Sequence, residues 1–558
     1  MGRRLQMNRL RQAAVSLARS FSFVGLVFAG FFFAASVTPS LLPRPFIFQG
    51  LLSGFAIAVG YGIGVGLLHV YEFLEIPPPA TRWQPGLRWT AGIAVVVVFL
   101  YFLRQMTYWQ NSQRELMEMP PVESVYPTST AVVALVFGGS LVLCARGIAY
   151  LRRLVARQLK RVVPRRVAHG LSVTFVGLML FFIGNGVIAR GLLTVADAFF
   201  QQADGLVDEG VAQPVEPLRC GSPNSLVDWN SIGRRGKDFL VEGPTGEELE
   251  KFSGRESRQP IRVYVGMRSA DTRQDQARLA VDELIRVGGF ERSVLVVATP
   301  TGTGWLDPGA VDTVEYLHGG DTAIVSIQYS YLPSWITILV DPKRSIESAA
   351  YLFEAVHEHW KTLPPESRPK LYLHGLSLGS LGSEVSAPWY AILEAPPHGA
   401  VWSGPPFPSS HWAYVTRTRN HDSPAWLPRY RDGSIVRFTA QQNTLDEAPR
   451  WGPMRTVYIQ YASDPMVFFS PSLMYKRPEW LTGKRGPDVS SHLEWYPVVT
   501  FLKVAFDLPM AIAVPNGYGH NYAARNYIDA WVAVTQPSGW TAEDTERFLE
   551  SWTPASGP

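Results

Sequence analysis

The residue best placed to do chemistry is a serine in a short glycine-rich segment. Gly375, Ser377 and Gly379 form the pattern G-x-S-x-G, which is typical of a serine on a sharp strand-to-helix turn. Such a turn exposes the serine oxygen above a sheet, and the flanking glycines relieve the crowding that it creates. The pattern arises by chance in a chain with 48 glycines. Here an apolar segment precedes it and small residues follow, so we predict Ser377 as a nucleophile.

A serine hydroxyl needs a base that is oriented by a carboxylate. In proteins that carry the serine on such a strand-to-helix turn, the chain order is Ser, then Asp or Glu, then His. Asp464 directly follows a predicted strand over Thr456–Tyr461, which makes it the preferred acid. A turn-initiating Asp-Pro is the alternative interpretation. His520 lies in a glycine-rich loop after a predicted last strand, Ala511–Val514, and is the preferred base.

Other acids and histidines compete for these roles. The remaining acids do not directly follow so clear a strand: Asp422, Asp446, Asp488 and Asp507. Three histidines precede Asp464 and break the chain order: His398, His411 and His421. We expect His374, on the strand before Ser377, to pack or hydrogen-bond near the turn. His492 is the strongest alternative base, but it is predicted to begin a helix that runs to about Phe506.

The same reaction needs donors for a developing oxyanion. One is the backbone N–H of Leu378, and the other comes from the loop after an earlier strand. The loop Thr301–Trp305 occupies that place and offers Gly302 and Thr303, although a plain tight turn is an equal alternative for any one residue. Trp305 and Trp412 are candidates for substrate binding. The Pro- and Trp-rich segment 404–450 is predicted to be a cap.

Short apolar runs alternate with helical segments after residue 260. The predicted strands are Ile261–Val265, Val294–Ala298, Ala323–Tyr329, Lys370–Leu373, Ala400–Trp402 and Thr456–Tyr461. The predicted helices between them are Arg273–Val287, Ala310–Leu317 and Ser345–Thr362. This alternation indicates an α/β domain over 260–558 with a mostly parallel sheet.

Residues 1–195 are predicted to form a transmembrane helical domain. Five apolar runs occur there: Phe21–Val37, Phe46–Val70, Leu87–Leu103, Thr128–Ala145 and Ala168–Ala189. A signal peptide is the alternative for the first run, but four further runs follow it. Ionisable residues are nearly absent from the runs, and Gly60, Gly62, Gly64 and Gly66 would let helices pack closely. The pattern therefore favours an anchor over a channel.

Charge placement predicts how this domain is oriented. The net charge of +4 is the sum of +13 for residues 1–200 and −9 for the remainder. With the N-terminus in the cytoplasm, 15 basic residues fall in inside segments and 3 in outside loops. This is a strong positive-inside bias. An odd number of spans then places the C-terminal domain outside the cytoplasm.

The rest of the chain restricts partners and cofactors. Residues 196–259 read as a juxtamembrane connector. Two cysteines make no disulfide framework, and Cys220 is expected to be structural or free. No metal cluster, phosphate loop or basic nucleic-acid face is apparent, so we predict no metal and no cofactor. The expected partners are membrane lipids and an ester or lipid-like substrate, and the oligomeric state is not predicted.

Three features together resemble a known family. They are the segment Ala298–Trp305, the segment Leu373–Ser380 and the five-run N-terminus. The chain resembles the membrane-embedded α/β-hydrolase family of actinobacteria, in which a multi-span region precedes a hydrolase-like domain. The resemblance covers almost the whole chain and implies the α/β-hydrolase fold with a Ser377, Asp464 and His520 triad. The helix between the first two strands departs from the antiparallel start of many such enzymes.

Two functional hypotheses follow. The first is a membrane-anchored serine esterase, lipase-like enzyme or acyltransferase of the cell envelope. The second is a hydrolase-like domain that serves as a non-catalytic binding or assembly module, because a fold does not fix a function. The serine turn with matching acid and base favours the first.

Overall fold

The computed structural model describes residues 20–77, 82–182, 189–206, 210–447 and 450–553. The chain divides into two compact units. The first comprises Met1–Arg190, Pro471–Arg477 and Val489–Asp507, and the second comprises Gly191–Ser470, Pro478–Asp488 and Leu508–Pro558.

The first unit is helical. Its helices are Phe23–Ser36, Phe46–Phe73, Gln84–Leu116, Pro127–Leu159, Arg165–Phe181 and Val499–Asp507, with a 3₁₀ turn at Pro471–Met474. Three of them are long and apolar enough to cross a membrane: Phe46–Phe73, Gln84–Leu116 and Pro127–Leu159. The first predicted run forms a helix of only 14 residues, and the fifth lies partly outside the described residues. These lengths and compositions support association with a membrane.

Two of the four closely spaced glycines lie at a helix contact. A Cβ atom on Gly60 or on Gly64 would lie 2.8 Å from a backbone oxygen of the helix Phe23–Ser36. A Cβ atom on Gly62 or on Gly66 would have no heavy atom of the described residues within 4 Å. Because residues four apart share one helix face, only alternate glycines of this set allow close packing of helices.

The helix Gln84–Leu116 leaves many large apolar side chains exposed. Leu87, Val96, Val97 and Leu100 are all between 56% and 60% exposed. A continuous apolar surface of this kind is unusual on a soluble protein and is typical of a helix that faces lipid.

The second unit contains a seven-stranded sheet in which every pairing is parallel, as the sequence predicted. The strand order is β1-β3-β2-β4-β5-β7-β6. The strands are β1 Ile261–Val265, β2 Val294–Thr299, β3 Thr322–Ile327, β4 Lys370–Leu376, β5 Gly399–Ser403, β6 Val436–Thr439 and β7 Arg455–Ile459. Every residue of β2, β3 and β5 is buried, as expected for a parallel sheet that is covered on both faces.

Helices and short 3₁₀ turns surround this sheet. The helices are Ala189–Asp204, Arg234–Val241, Gly246–Ser253, Arg273–Arg286, Pro308–Leu317, Ser334–Val340, Lys343–Thr362, Leu378–Glu384, Trp389–Glu394, Ser410–Arg417, Pro465–Phe468, Ala524–Thr535 and Ala542–Ser551. The 3₁₀ turns are Trp229–Ser231, Gly289–Glu291, Leu445–Glu447, Glu479–Leu481 and Leu508–Met510. Side-chain caps begin several helices; Thr272, for example, accepts from the N–H of Asp275, which satisfies a free helix donor.

The strand order reverses direction between β2 and β4. From β2 the chain continues to β3 on one side, whereas β4 continues to β5 on the other side. The loops at the carboxyl ends of two such strands diverge and leave a crevice, which is the usual ligand site in open α/β sheets. The segment after β2 begins at Pro300, and the residue after β4 is Ser377.

One strand prediction in the C-terminal half was wrong, and one strand was missed. The predicted strand Ala511–Val514 is a turn; the run has only four residues and prolines lie close on both sides, at Pro509 and Pro515. The predicted cap segment 404–450 instead contains β6, which pairs with β7 at the sheet edge, and the helix Ser410–Arg417.

The helix predicted to start at His492 begins only at Val499 and ends at Asp507. Pro497 disfavours helical geometry in the residue before it, and Val498 has a positive φ of 65°. The helix therefore cannot extend back through this pair.

The predicted connector 196–259 is more ordered than its composition indicates. It contains the helices Arg234–Val241 and Gly246–Ser253, and it packs within the second unit. Ser225 Oγ donates to Glu283 Oε1 at 2.7 Å, and Arg268 Nη1 donates to Asp204 Oδ2 at 3.3 Å.

Candidate active site

Ser377 lies on a strained turn between β4 and the helix Leu378–Glu384. Its backbone has φ 58° and ψ −125°, a region that a residue with a side chain rarely adopts. A Cβ on Gly375 would lie 2.3 Å from the carbonyl carbon of Gly379, and one on Gly379 would lie 2.1 Å from Thr299 O. Only glycine fits at either position, so these neighbours make the turn possible.

Asp464 and His520 form a buried hydrogen-bonded pair. Asp464 follows the end of β7, is 0% exposed and accepts from the Met466 N–H through Oδ1 at 2.8 Å. His520 Nδ1 lies 2.7 Å from Asp464 Oδ2, and the histidine is 8% exposed. A carboxylate oxygen accepts, so Nδ1 carries the hydrogen and Nε2 is left as the basic atom of a neutral ring.

Tyr522 is a third partner of this pair that the sequence reasoning missed. Its hydroxyl donates to Asp464 Oδ2 at 2.7 Å, the same oxygen that meets His520. A carboxylate that accepts several hydrogen bonds is held in one orientation. The position of Tyr522, two residues after the predicted base, is the only signal in the sequence that could have found it.

Ser377 and His520 line one cavity of about 290 Å³. Ser377 Oγ and His520 Nε2 are both buried and have no hydrogen-bond partner within the described part of the chain. A nucleophile is activated through a hydrogen bond between two such atoms, one on the nucleophile and one on the base. Catalytic hydrogen bonds of this kind commonly tighten only when a substrate is bound. The structure therefore places Ser377 and His520 at one cavity, with Asp464 hydrogen-bonded to the histidine from behind.

The predicted oxyanion donors differ in availability. Leu378 is the first residue of its helix, and N–H groups at this position have no partner within the helix. The Gly302 N–H donates to Ser334 Oγ at 3.0 Å, so the prediction of Gly302 as a donor is not supported. Thr303 lines the cavity, and it is the better candidate from that loop.

The two tryptophans that were predicted to bind substrate differ in their position relative to the cavity. Trp305 lines the cavity and is 8% exposed. Trp412 does not line it; this ring is buried, and its Nε1 donates to Gln460 Oε1 at 2.7 Å. The structure therefore does not support Trp412 as a substrate contact, because the ring lies outside the cavity and its polar atom bonds Gln460.

The cavity has an apolar rim formed by segments that sequence reasoning did not select. These residues are Pro333, Trp335, Met466, Leu508, Pro509 and Ile512. Trp335 is 38% exposed and Ile512 is 47% exposed. None of the described residues of the predicted cap 404–450 lines the cavity. These rim residues are distant in sequence from Ser377, and no local pattern marks them.

Asp307 places a carboxyl group on the cavity wall. Its Oδ1 accepts from the Gly309 N–H at 2.9 Å and so caps the helix Pro308–Leu317. Burial raises the pKa of Asp307 to about 7. This carboxyl is therefore partly protonated near neutral pH, unlike an exposed aspartate.

The competing histidines and acids lie elsewhere. His374 Nδ1 lies 2.8 Å from Val401 O, and burial lowers its pKa to about 4, so it is a neutral core residue, as predicted. Asp507 pairs with Arg44 within the first unit. Asp422 is exposed and pairs with Arg429.

Groups of metal-ligating side chains and free thiols are the other features that could carry chemistry. Within the described ranges, no group of three or more His, Cys, Asp or Glu side chains could hold a metal ion. Cys220 is a free, buried thiol, and burial raises its pKa to about 12, which makes it a poor nucleophile.

Two family models match the chain. One, described as the alpha/beta-hydrolase family, matches residues 261–548. The other, described as the N-terminus of that family, matches residues 37–244. Neither a curated protein nor a solved structure matches. The first match covers more than half of the chain and coincides with the parallel sheet and the serine turn, so the chain belongs to the alpha/beta-hydrolase family.

Proposed function

We propose that the protein is a membrane-anchored serine hydrolase or acyltransferase that acts on ester or lipid substrates of the cell envelope. Ser377 is the nucleophile, His520 the general base and Asp464 the carboxylate that orients the imidazole. The observation that carries this proposal is the buried Asp464–His520 pair, whose free Nε2 shares one cavity with the Ser377 hydroxyl.

The reaction has two halves. Ser377 Oγ attacks the ester carbonyl carbon while its proton passes to His520 Nε2. The oxyanion that forms accepts hydrogen bonds from the N–H groups of Leu378 and Thr303. The intermediate collapses, the alcohol leaves with the proton from His520, and an acyl-serine remains. Water, or the hydroxyl group of an acceptor, then attacks this ester by the same route and regenerates Ser377.

The apolar rim supports a fatty or otherwise apolar acyl group. Trp335 and Ile512 expose large apolar surfaces at the cavity, and burying such surface against an acyl chain contributes about 25 cal/mol per Å². The polar lining, which includes Thr301, Thr303 and Asn521, suits the ester and alcohol parts. Membrane lipids are the nearest source of such esters for a chain with three apolar helices of spanning length.

We infer the topology from charge. The bias of 15 basic residues against 3 supports a multi-pass protein in the cell membrane with a cytoplasmic N-terminus and an extracytoplasmic C-terminal domain. In this placement the proposed active site would face the cell envelope.

The test is turnover of p-nitrophenyl esters of increasing chain length by the full chain in detergent micelles. We expect hydrolysis that favours medium or long acyl chains and that falls at least about 1,000-fold in Ser377→Ala. Ser386→Ala is the matched control, because Ser386 is also buried but lies outside the cavity. Equal rates in wild type and Ser377→Ala, or no turnover of any ester, would favour the non-catalytic module.

A further inference from the structure

A second buried carboxylate lies beside the acid–base pair. Asp488 is 2% exposed. Its Oδ2 accepts three hydrogen bonds, from Ser463 N–H at 3.1 Å, Ser463 Oγ at 2.6 Å and Gln441 Nε2 at 2.9 Å. These donors satisfy one oxygen of a buried carboxylate and so fix its position relative to both donor residues.

Ser463 connects this carboxylate to the loop that carries the base. Its Oγ donates to Asp488 and accepts from the Gly519 N–H at 2.9 Å. Ser463 immediately precedes Asp464, and Gly519 immediately precedes His520. One serine side chain therefore joins the residue before the acid to the residue before the base.

Gln441 adds a second connection to the same loop. Its Nε2 donates to Asp488 Oδ2 and to Gly517 O at 3.1 Å. The segment that carries Asp488 also packs closely on the turn after β7, since a Cβ on Gly486 would lie 2.0 Å from Ala462 Cβ. Three separate segments of the second unit thus meet at the Asp488 carboxylate.

The loop of His520 needs such support. It follows a turn rather than a strand, and Gly517 and Gly519 have positive φ values of 93° and 57°. Glycine in these conformations adds flexibility in the unfolded and partly unfolded states. Misplacement of a catalytic group by about 1 Å can cost about 100-fold in rate.

We infer that Asp488 and Ser463 are positioning residues that hold the Asp464 turn and the His520 loop at a fixed separation, an inference that rests on the function proposed for that pair. Neither residue lines the cavity, so they act through Asp464 and His520 rather than on the substrate. Asp488 fixes the rotamer of Ser463, and Ser463 fixes the N–H of Gly519.

The test compares Ser463→Ala with Ser463→Thr, and Asp488→Ala with Asp488→Asn, in the full chain. Ser463→Ala removes the hydroxyl bridge, and we expect kcat for a soluble ester to fall between about 10- and 100-fold with KM within about 3-fold. Threonine retains the oxygen and should restore most of kcat. Asparagine retains one acceptor oxygen at position 488 and should exceed alanine in kcat. Asp422→Asn, at an exposed carboxylate, is the control.

Hydrogen–deuterium exchange of residues 515–521 gives a readout that does not depend on turnover. We expect faster exchange of this segment in Ser463→Ala and Asp488→Ala, but not in Ser463→Thr. If wild type hydrolyses no ester, the proposed function fails while the exchange result still decides the positioning role. Unchanged exchange, or a lower Tm with an unchanged kcat of the folded protein, would overturn the inference.

Discussion

Replacing Arg44 with alanine would leave the Asp507 carboxylate buried in the first unit without its cation. Arg44 Nε donates to Asp507 Oδ1 at 2.8 Å, and Arg44 Nη2 donates to Lys503 O at 2.7 Å. Asp507 Oδ2 accepts from Ser40 Oγ at 2.5 Å. This cluster joins the residues just before the helix Phe46–Phe73 to the helix Val499–Asp507, which is distant in sequence.

The expected loss is large because the pair is buried. The side chains of Arg44 and Asp507 are 1% and 0% exposed. Breaking such a pair by removing one partner costs about 3–5 kcal/mol, whereas replacing both with apolar residues of similar volume is often nearly neutral. Arg44→Ala should therefore lower the free energy of unfolding by about 3–5 kcal/mol. The double variant Arg44→Met with Asp507→Leu should recover most of that loss.

Denaturant unfolding of the full chain in detergent micelles, followed by tryptophan fluorescence, measures both effects. Arg525→Ala is the control, because the ion pair of Arg525 with Glu546 is exposed and such pairs contribute about 0–1 kcal/mol. A loss in Arg44→Ala no greater than in Arg525→Ala would refute the reasoning. The reasoning would also be refuted if the double variant lost as much free energy of unfolding as Arg44→Met and Asp507→Leu lose together.

Three further predictions concern the catalytic region and the two units. Tyr522→Phe removes one donor from Asp464, and we expect kcat to fall between about 10- and 150-fold with KM nearly unchanged, since hydrogen bonds to charged groups contribute about 1.5–3 kcal/mol; a larger change in KM than in kcat would contradict this. Burial raises the pKa of Asp307 to about 7. The stability that its protonated form contributes is therefore fully present below about pH 4 and is lost as pH rises through 7. The free energy of unfolding of Asp307→Asn, measured at several pH values, should lack this decline. A pH dependence equal to that of the wild type would contradict the raised pKa of Asp307. A chain that begins at residue 191 should be poorly soluble, because it retains the helix Val499–Asp507 without Arg44; a soluble, monodisperse product in size-exclusion chromatography would contradict this.

Much of the second unit could be predicted because its signals are local. The run Ile261–Val265 has the bounds of β1, and the pattern that predicts the serine turn lies within a few consecutive residues. Asp464 was selected because it follows the predicted strand Thr456–Tyr461, and the observed strand β7 ends a short turn before it, at Ile459. In such segments propensity, hydropathy and turn chemistry agree.

The remaining features depend on contacts between distant segments. β6 has four residues, and it forms a strand because it can pair with β7. The run at 511–514 is as apolar as a strand but pairs with none of the strands in the described part of the chain, so it remains a turn. Trp335 and Ile512 become the cavity rim only through tertiary packing, and the pairing of Ser463 with Asp488 spans 25 residues. Tertiary context overrides local preference in each case.

The Val499–Asp507 helix illustrates this limit most clearly. Its sequence lies within the segment that we predicted as one hydrolase-like domain, but it packs with the helices of the first unit. The charged residues Lys503 and Asp507 gave no indication of this, because their partners are more than 450 positions earlier. Only a structure identifies such pairings.

The most direct test of the central claim is to locate the residue that a fluorophosphonate modifies. Membranes that contain the full chain would be treated with the probe, and the labelled peptide would be sequenced by mass spectrometry. We predict a single adduct on Ser377, absent from Ser377→Ala and slowed in Ser463→Ala. No adduct, an adduct on a different serine, or labelling that persists in Ser377→Ala would contradict a catalytic role for this site.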